Sequence, residues 1–192
     1  MKIIIFVLLI SNLLFGQDFA LEQFNINRNL LNQKGMMVLG TWAIGNIALG
    51  SIMMNNQSGS KKYFHQMNAG WNIFNLAIAG FGYYSALHGD TLLTLYQSVK
   101  EQKIIENILL FNAGLDIGYI MTGVWLREKS KNNTKHKARL KGYGSSLIIQ
   151  GSFLCLFDLA LYYLHYDNNS FLKPILESIS FNSQEITIRM ML

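Results

Sequence analysis

The chain has 192 residues, of which 51% are hydrophobic and 14% charged, with one proline and a net charge of +5. Few charges and few turn-forming residues are unusual for a water-soluble domain, so the composition favours an all-α integral membrane protein. The basic excess is expected to set membrane orientation, and no nucleic-acid partner is expected. The single cysteine, Cys155, excludes an intrachain disulfide and a cluster of thiolate ligands.

The N-terminus has the pattern of a secretory signal peptide. Lys2 precedes an uncharged apolar run at 3–15, which is too short to cross a bilayer comfortably. We therefore predict a signal peptide at 1–17, with an uncleaved anchor as the alternative because Leu14 is not the usual small residue before a cleavage site. Residues 18–35 are expected to form a periplasmic amphipathic segment at the membrane surface, or a plain linker.

Four stretches with almost no charge follow, each long enough at about 1.5 Å per residue to cross a hydrocarbon core of about 30 Å. The predicted spans are residues 36–54, 64–87, 104–126 and 142–166. Because their connections are short, we expect an antiparallel four-helix bundle over 36–166. The remaining residues, 167–192, are predicted to be a periplasmic tail with a small hairpin, since two segments there alternate apolar and polar residues.

Basic residues are concentrated in the first and third loops, which together hold nine lysines and arginines and one acid, Glu128. The positive-inside rule places such loops in the cytoplasm, so both mature termini are expected in the periplasm. The predicted location is the bacterial inner membrane, in a multi-pass arrangement within the lipid bilayer.

Each predicted span carries a polar residue near its middle. These are Asn46, Asn75, Asp116 and Asp158. In one interpretation they form interhelical hydrogen bonds that only fix packing. In the other, the two carboxyl groups require a shared proton, a bound cation or a water-filled path, because the spans contain no lysine or arginine to neutralise them.

An internal repeat links these residues. The hexapeptide 73–78 matches 156–161 and aligns Asn75 with Asp158, while Asn46 aligns with Asp116 in the preceding helices. The pattern predicts two duplicated helical hairpins. Amides in the first copy become carboxyl groups in the second.

Other chemistry is weakly indicated. His88 and His165 fall at the outer ends of two spans, so they are weak candidates for a bis-histidine haem or metal pair, although interface histidines are usually only solvated. No nucleophile motif, phosphate-binding loop or zinc signature occurs in the sequence. We therefore expect no cofactor and no enzymatic activity.

The segments 39–47 (LGTWAIGNI) and 64–72 (FHQMNAGWN) resemble a bacterial family of small four-helix integral membrane proteins of unknown function. The resemblance covers 36–166. It implies the four-helix fold and brings no activity, cofactor or functional residue with it.

The sequence thus predicts a non-enzymatic inner-membrane component that interacts with a membrane or periplasmic protein partner or serves a structural role. The alternative is a proton- or cation-linked transport or channel component that uses Asp116 and Asp158. A haem- or quinone-linked redox subunit is a third class.

Overall fold

The described part of the chain consists of four long α-helices and one short 3-10 helix. The structure, a computed structural model, describes the backbone of residues 2–173 and 175 and the side chains of residues 19–173 and 175. The elements are α1 (Lys2–Asn56), α2 (Gly59–Leu87), α3 (Leu95–Lys131), α4 (Lys137–Asn168) and a short 3-10 helix (Asn169–Leu172). The predicted all-helical fold is confirmed, whereas the hairpin predicted in the tail lies outside the described residues.

Local signals set the boundaries between helices. Gly59 starts α2 with a φ of +59°, a conformation that glycine adopts without strain, and this allows a connection of only two residues between α1 and α2. At the start of α3, Thr94 and Gln97 form a capping box, in which each side chain bonds the backbone of the other residue. Both signals mark the residue at which the next helix begins.

Within the first hairpin, α1 and α2 pack through small residues. Gly82 lies against Met36, and Gly50 lies against the backbone of His65 and against Ala69. Along this interface, later residues of α1 contact earlier residues of α2. Glycine at these positions removes the side chain that would hold the two backbones apart.

Glycines also allow close contact within the second hairpin and between the two hairpins. A Cβ atom on Gly123 would lie 2.6 Å from the carbonyl oxygen of Gly144, so α3 and α4 touch through their backbones. Gly142 of α4 packs in the same way on the backbone of Ser60 and Phe64 of α2. The two hairpins therefore meet through α2 and α4, and α3 packs mainly on α4.

The helix α1 is longer than the first predicted span. Residues 18–35 are continuous with the rest of α1, and Phe24 is fully buried in a cluster with Leu172 and Ile175. These contacts pack the N-terminal half of α1 on the end of the bundle that carries the short 3-10 helix. The signal peptide at 1–17 stays a prediction, because a helix beginning at Lys2 is compatible with cleavage or retention.

Among the described residues, three helical stretches are long and apolar enough to cross a membrane, namely Phe19–Asn56, Leu95–Lys131 and Lys137–Leu172. They indicate a membrane protein. The helix α2 is not among them, because its buried residues include three asparagines, which lower its hydropathy. The second predicted span therefore stays a prediction.

Candidate functional site

The two carboxyl groups predicted within the helices meet in the structure. The carboxyl groups of Asp116 on α3 and Asp158 on α4 lie close enough to interact directly, so that a proton on one could be shared with the other. They are only 3% and 6% exposed. The Oδ2 atom of Asp116 is buried without any hydrogen-bond partner among the described residues, so this oxygen could still accept a hydrogen bond or contact a cation.

Their meeting depends on a glycine one heptad earlier on α4. A Cβ atom on Gly151 would lie 2.8 Å from the backbone oxygen of Asp116 and 3.0 Å from the side chain of Ile120, so α4 lies directly against α3 there. Seven residues later the same face of α4 presents Asp158. This close contact brings the two carboxyl groups within hydrogen-bonding range.

A cavity of about 940 Å³ lies beside the pair. Its lining comes from all four helices and from the α2–α3 loop, and most of it is apolar. Trp71 and Tyr119 also line it, and their rings meet edge to face with centroids 4.8 Å apart. The indole Nε1 of Trp71 is buried without an acceptor. Two residues that line this cavity therefore each hold a buried polar atom without a hydrogen-bond partner, the indole Nε1 of Trp71 and Oδ2 of Asp116.

Asn75 belongs to this region as well. It lines the cavity with Asp116 and Asp158, and its Nδ2 donates to Oδ1 of Asn72 at 3.2 Å. Asn72 in turn donates to the backbone oxygen of Asn68 at 2.9 Å. The structure therefore groups three of the four predicted polar residues around one cavity.

Asn46 lies in a different cluster, which joins α1, α2 and α4. Its Oδ1 accepts from Nδ2 of Asn68 and from Nε2 of Gln150, each at 3.3 Å, and its own Nδ2 donates to the backbone oxygen of Trp42 at 2.9 Å. The indole of Trp42 donates to Oε1 of Gln150 at 3.0 Å, and Ser146 donates to Oδ1 of Asn68. We call these five side chains the amide cluster. Their donors and acceptors satisfy one another, which fits the packing interpretation for Asn46.

The sequence did not single out Gln150 or Trp42. Gln150 is fully buried and Trp42 stacks on Phe153 with ring centroids 3.8 Å apart. A signal was available, because Ser146, Gln150 and Asp158 fall at multiples of four on one face of α4.

The two candidate histidines lie in different surroundings. His165 is fully buried, and its Nε2 is 3.0 Å from Oδ1 of Asn32, whereas its Nδ1 has no partner. His88 is exposed, and its Nδ1 is 2.9 Å from the backbone oxygen of Tyr84 one turn earlier. The two imidazoles thus make separate contacts, one buried and one exposed, and the bis-histidine pair stays a prediction.

A third buried carboxyl group provides a contrast to the aspartate pair. Glu106 on α3 accepts from Lys103 and Asn169, each at 2.6 Å, and from Gln102 at 3.1 Å. Gln102 also donates to the backbone oxygen of His165 at 2.6 Å. Glu106 is thus a saturated carboxylate that ties α3 to the end of α4.

A family model, described as a family of unknown function (DUF6992), matches residues 38–159. The chain belongs to this family. The match begins within α1 and ends just beyond Asp158, so it contains the amide cluster and the aspartate pair but not Arg28 or His165. No curated protein and no solved structure matches the chain. The expected membership of a family of unknown function is confirmed, whereas the bacterial origin and the membrane nature of that family stay predictions.

Proposed function

We propose that the protein is a non-enzymatic integral membrane protein that holds a proton or a small cation at Asp116 and Asp158, as a component of proton- or cation-linked transport. One observation carries the proposal. The two buried carboxyl groups face each other and both line a cavity, and Oδ2 of Asp116 has no hydrogen-bond partner among the described residues.

The physical argument concerns charge. Two carboxylates in contact within a low-dielectric interior repel each other strongly, so such a pair either shares one proton or binds a cation. No salt bridge to Asp116 or Asp158 occurs among the described residues. Pure packing would be served at lower cost by amides, as in the amide cluster.

The proposed location is the bacterial inner membrane, with the α1–α2 and α3–α4 loops in the cytoplasm and both mature termini in the periplasm. The basic loops support this orientation. The test places one cysteine at a time in a Cys155→Ala background, at Leu92 in the α2–α3 loop or at Lys135 in the α3–α4 loop. An impermeant maleimide should label Leu92→Cys in intact spheroplasts and Lys135→Cys only after lysis; the reverse pattern would overturn the orientation.

Infrared spectroscopy of the carboxyl groups tests the site itself. Purified protein is measured over a pH series with and without Na⁺, K⁺ or Ca²⁺, alongside Asp116→Asn, Asp158→Asn and the control Glu128→Gln, which removes an exposed carboxyl group. A protonated carboxyl band that responds to pH or to one cation should disappear in either Asn variant and persist in the control. A spectrum that neither Asn variant changes would contradict the proposal.

The second candidate function is an interaction component with a membrane or periplasmic protein partner. The observation that favours it is the large apolar surface of α2, where Phe74 is 73% and Phe81 is 79% exposed. Capture of one reproducible partner, unchanged by the double variant Asp116→Asn and Asp158→Asn but lost in Phe81→Ser, would favour this function over the first.

A further inference from the structure

We propose that the groove between α2 and α3 binds a zwitterionic phospholipid, with its phosphate on Arg28, its ammonium group on Glu101 and Asp90, and an acyl chain along the groove. The inference rests on the membrane placement proposed above, but it does not depend on a proton or cation at the aspartate pair.

The groove exists because α2 packs mainly on α1 and α4 and α3 packs mainly on α4, so that α2 and α3 make little contact beyond the rings of Trp71 and Tyr119. Between them lies the cavity of about 940 Å³, at the upper end of the usual volume of small-molecule pockets. Glu101 and Asp116 both line it and are fifteen residues apart on α3. At about 1.5 Å per residue the groove therefore extends roughly 22 Å along α3, a large part of the thickness of a hydrocarbon core.

The walls of the groove suit a hydrocarbon chain. Phe74 and Ile78 of α2 and Ile108 and Leu115 of α3 line it, and all four side chains are also exposed at the surface of the bundle. The groove therefore opens sideways onto the apolar surroundings of the helices. A chain already in the bilayer could enter there without crossing water.

Arg28 lines the end of the groove near the α2–α3 loop. It is only 4% exposed, and its guanidinium donates to Oδ1 of Asn25 at 2.8 Å and, more weakly, to the backbone oxygen of Asp90 at 3.4 Å. Among the described residues no carboxylate forms a salt bridge with it. A guanidinium has five N–H donors, and a buried cation needs an anionic partner. This arginine can therefore bind a phosphate by donating hydrogen bonds to its oxygens.

The charges around Arg28 distinguish between head groups. Glu101 and Asp90 line the same end of the groove, are exposed, and are the two acidic groups whose charges act on Arg28. A purely anionic head group would face their repulsion, and a purely cationic one would leave Arg28 without a partner. A zwitterion places a negative phosphate on the buried arginine and a positive ammonium group towards the two carboxylates.

Native mass spectrometry of the full chain in a neutral detergent tests the inference. The protein is mixed with equal amounts of phosphatidylethanolamine and phosphatidylglycerol that carry identical acyl chains. We expect one tightly held phosphatidylethanolamine, bound about tenfold more tightly than phosphatidylglycerol, as for one charge-assisted contact. Equal retention of both lipids, or a preference for the anionic lipid, would overturn the proposal.

Variants separate the two halves of the head-group site. Arg28→Gln should weaken phosphatidylethanolamine binding about tenfold, and Arg28→Lys should restore part of it. Glu101→Gln, an exposed position that should not disturb folding, should abolish the preference between the two lipids. The matched controls Lys100→Gln and Glu128→Gln, exposed and outside the groove, should change neither quantity. Unchanged preference in Glu101→Gln, or equal losses in the controls, would contradict the assignment.

The two proposals fail separately. Loss of the infrared response with lipid preference intact would remove the proton or cation site and keep the lipid groove. Loss of lipid preference with the infrared response intact would remove the lipid groove and keep the proton or cation site.

Discussion

The amide cluster and the aspartate pair each contain one of two residues that the internal repeat aligns, Asn46 and Asp116, but these two residues have different surroundings. The repeat aligns Asn46 with Asp116, and aligning Asn75 with Asp158 places Asn68 opposite Gly151. In the first hairpin Asn46 meets Asn68 and bonds it. In the second hairpin, the backbone of Asp116 meets Gly151, which has no side chain, and the carboxyl group of Asp116 instead lies next to that of Asp158.

This difference separates packing from a candidate site. In the amide cluster each polar group has a partner on another helix, which fixes the register of three helices. In the aspartate pair, Oδ2 of Asp116 is buried without a partner, and both residues line a cavity. Polarity within an apolar helix is therefore weak evidence of function by itself. Unsatisfied polarity beside a cavity is stronger evidence.

The largest effect is expected from breaking the amide cluster. Gln150→Leu should lower the free energy of unfolding by about 2–4 kcal/mol, because it leaves the buried indole N–H of Trp42 without an acceptor and removes donors to Asn46 and Asn68. Equilibrium unfolding in detergent micelles measures the loss. The neighbouring, exposed Ile149→Ala is the control and should change little. Equal stability of Gln150→Leu and wild type would show that the cluster does not hold the bundle together.

A smaller effect on stability is expected from placing a carboxyl group in the first hairpin, at the position that aligns with Asp116. Asn46→Asp should destabilise the protein by about 1–3 kcal/mol at neutral pH, because a carboxylate there cannot donate to the backbone oxygen of Trp42 and has no cation beside it. The same unfolding assay applies, and the loss should shrink under acid conditions, where a protonated carboxyl group can donate. A variant as stable as wild type at both pH values would mean that the site tolerates charge.

The smallest effect on stability is expected at the aspartate pair. Asp116→Asn and Asp158→Asn should each change the free energy of unfolding by less than about 1 kcal/mol, since an amide keeps the shape and a hydrogen bond while removing a buried acid. If either variant instead lost as much stability as Gln150→Leu, the pair would be a packing element like the amide cluster.

The sequence predicted much of the fold because apolar runs mark helices that cross or fill an apolar core. The described helices contain all four predicted spans, yet α1 and α3 extend further at the end of the bundle near the α2–α3 loop. There Asn25 donates to Ser98 at 2.9 Å, so the helices continue on polar contacts that hydropathy does not register. The spacing of Asn25, Asn29 and Asn32 was the available signal for a buried polar face.

The sequence predicted which residues belong to the candidate site, but it did not predict which of them would meet. Helical spacing assigns Asp116 and Asp158 to faces, but it does not say which helix each face meets. Close backbone contact at Gly151 decided that these two residues pair, whereas Asn46 was satisfied elsewhere. The lipid groove was not predictable either, since it depends on α2 and α3 remaining apart.

Labelling with dicyclohexylcarbodiimide, an apolar reagent that modifies protonated carboxyl groups, tests the central claim most directly. The protein in lipid vesicles is treated near neutral pH and the modified residue is mapped by mass spectrometry. We predict about one label per chain, on Asp116 or Asp158, because a pair that shares one proton presents one reactive acid to the groove. Glu106, buried but saturated by Lys103 and two amides, should stay unlabelled. Labelling of Glu106 with none on either aspartate would contradict the account.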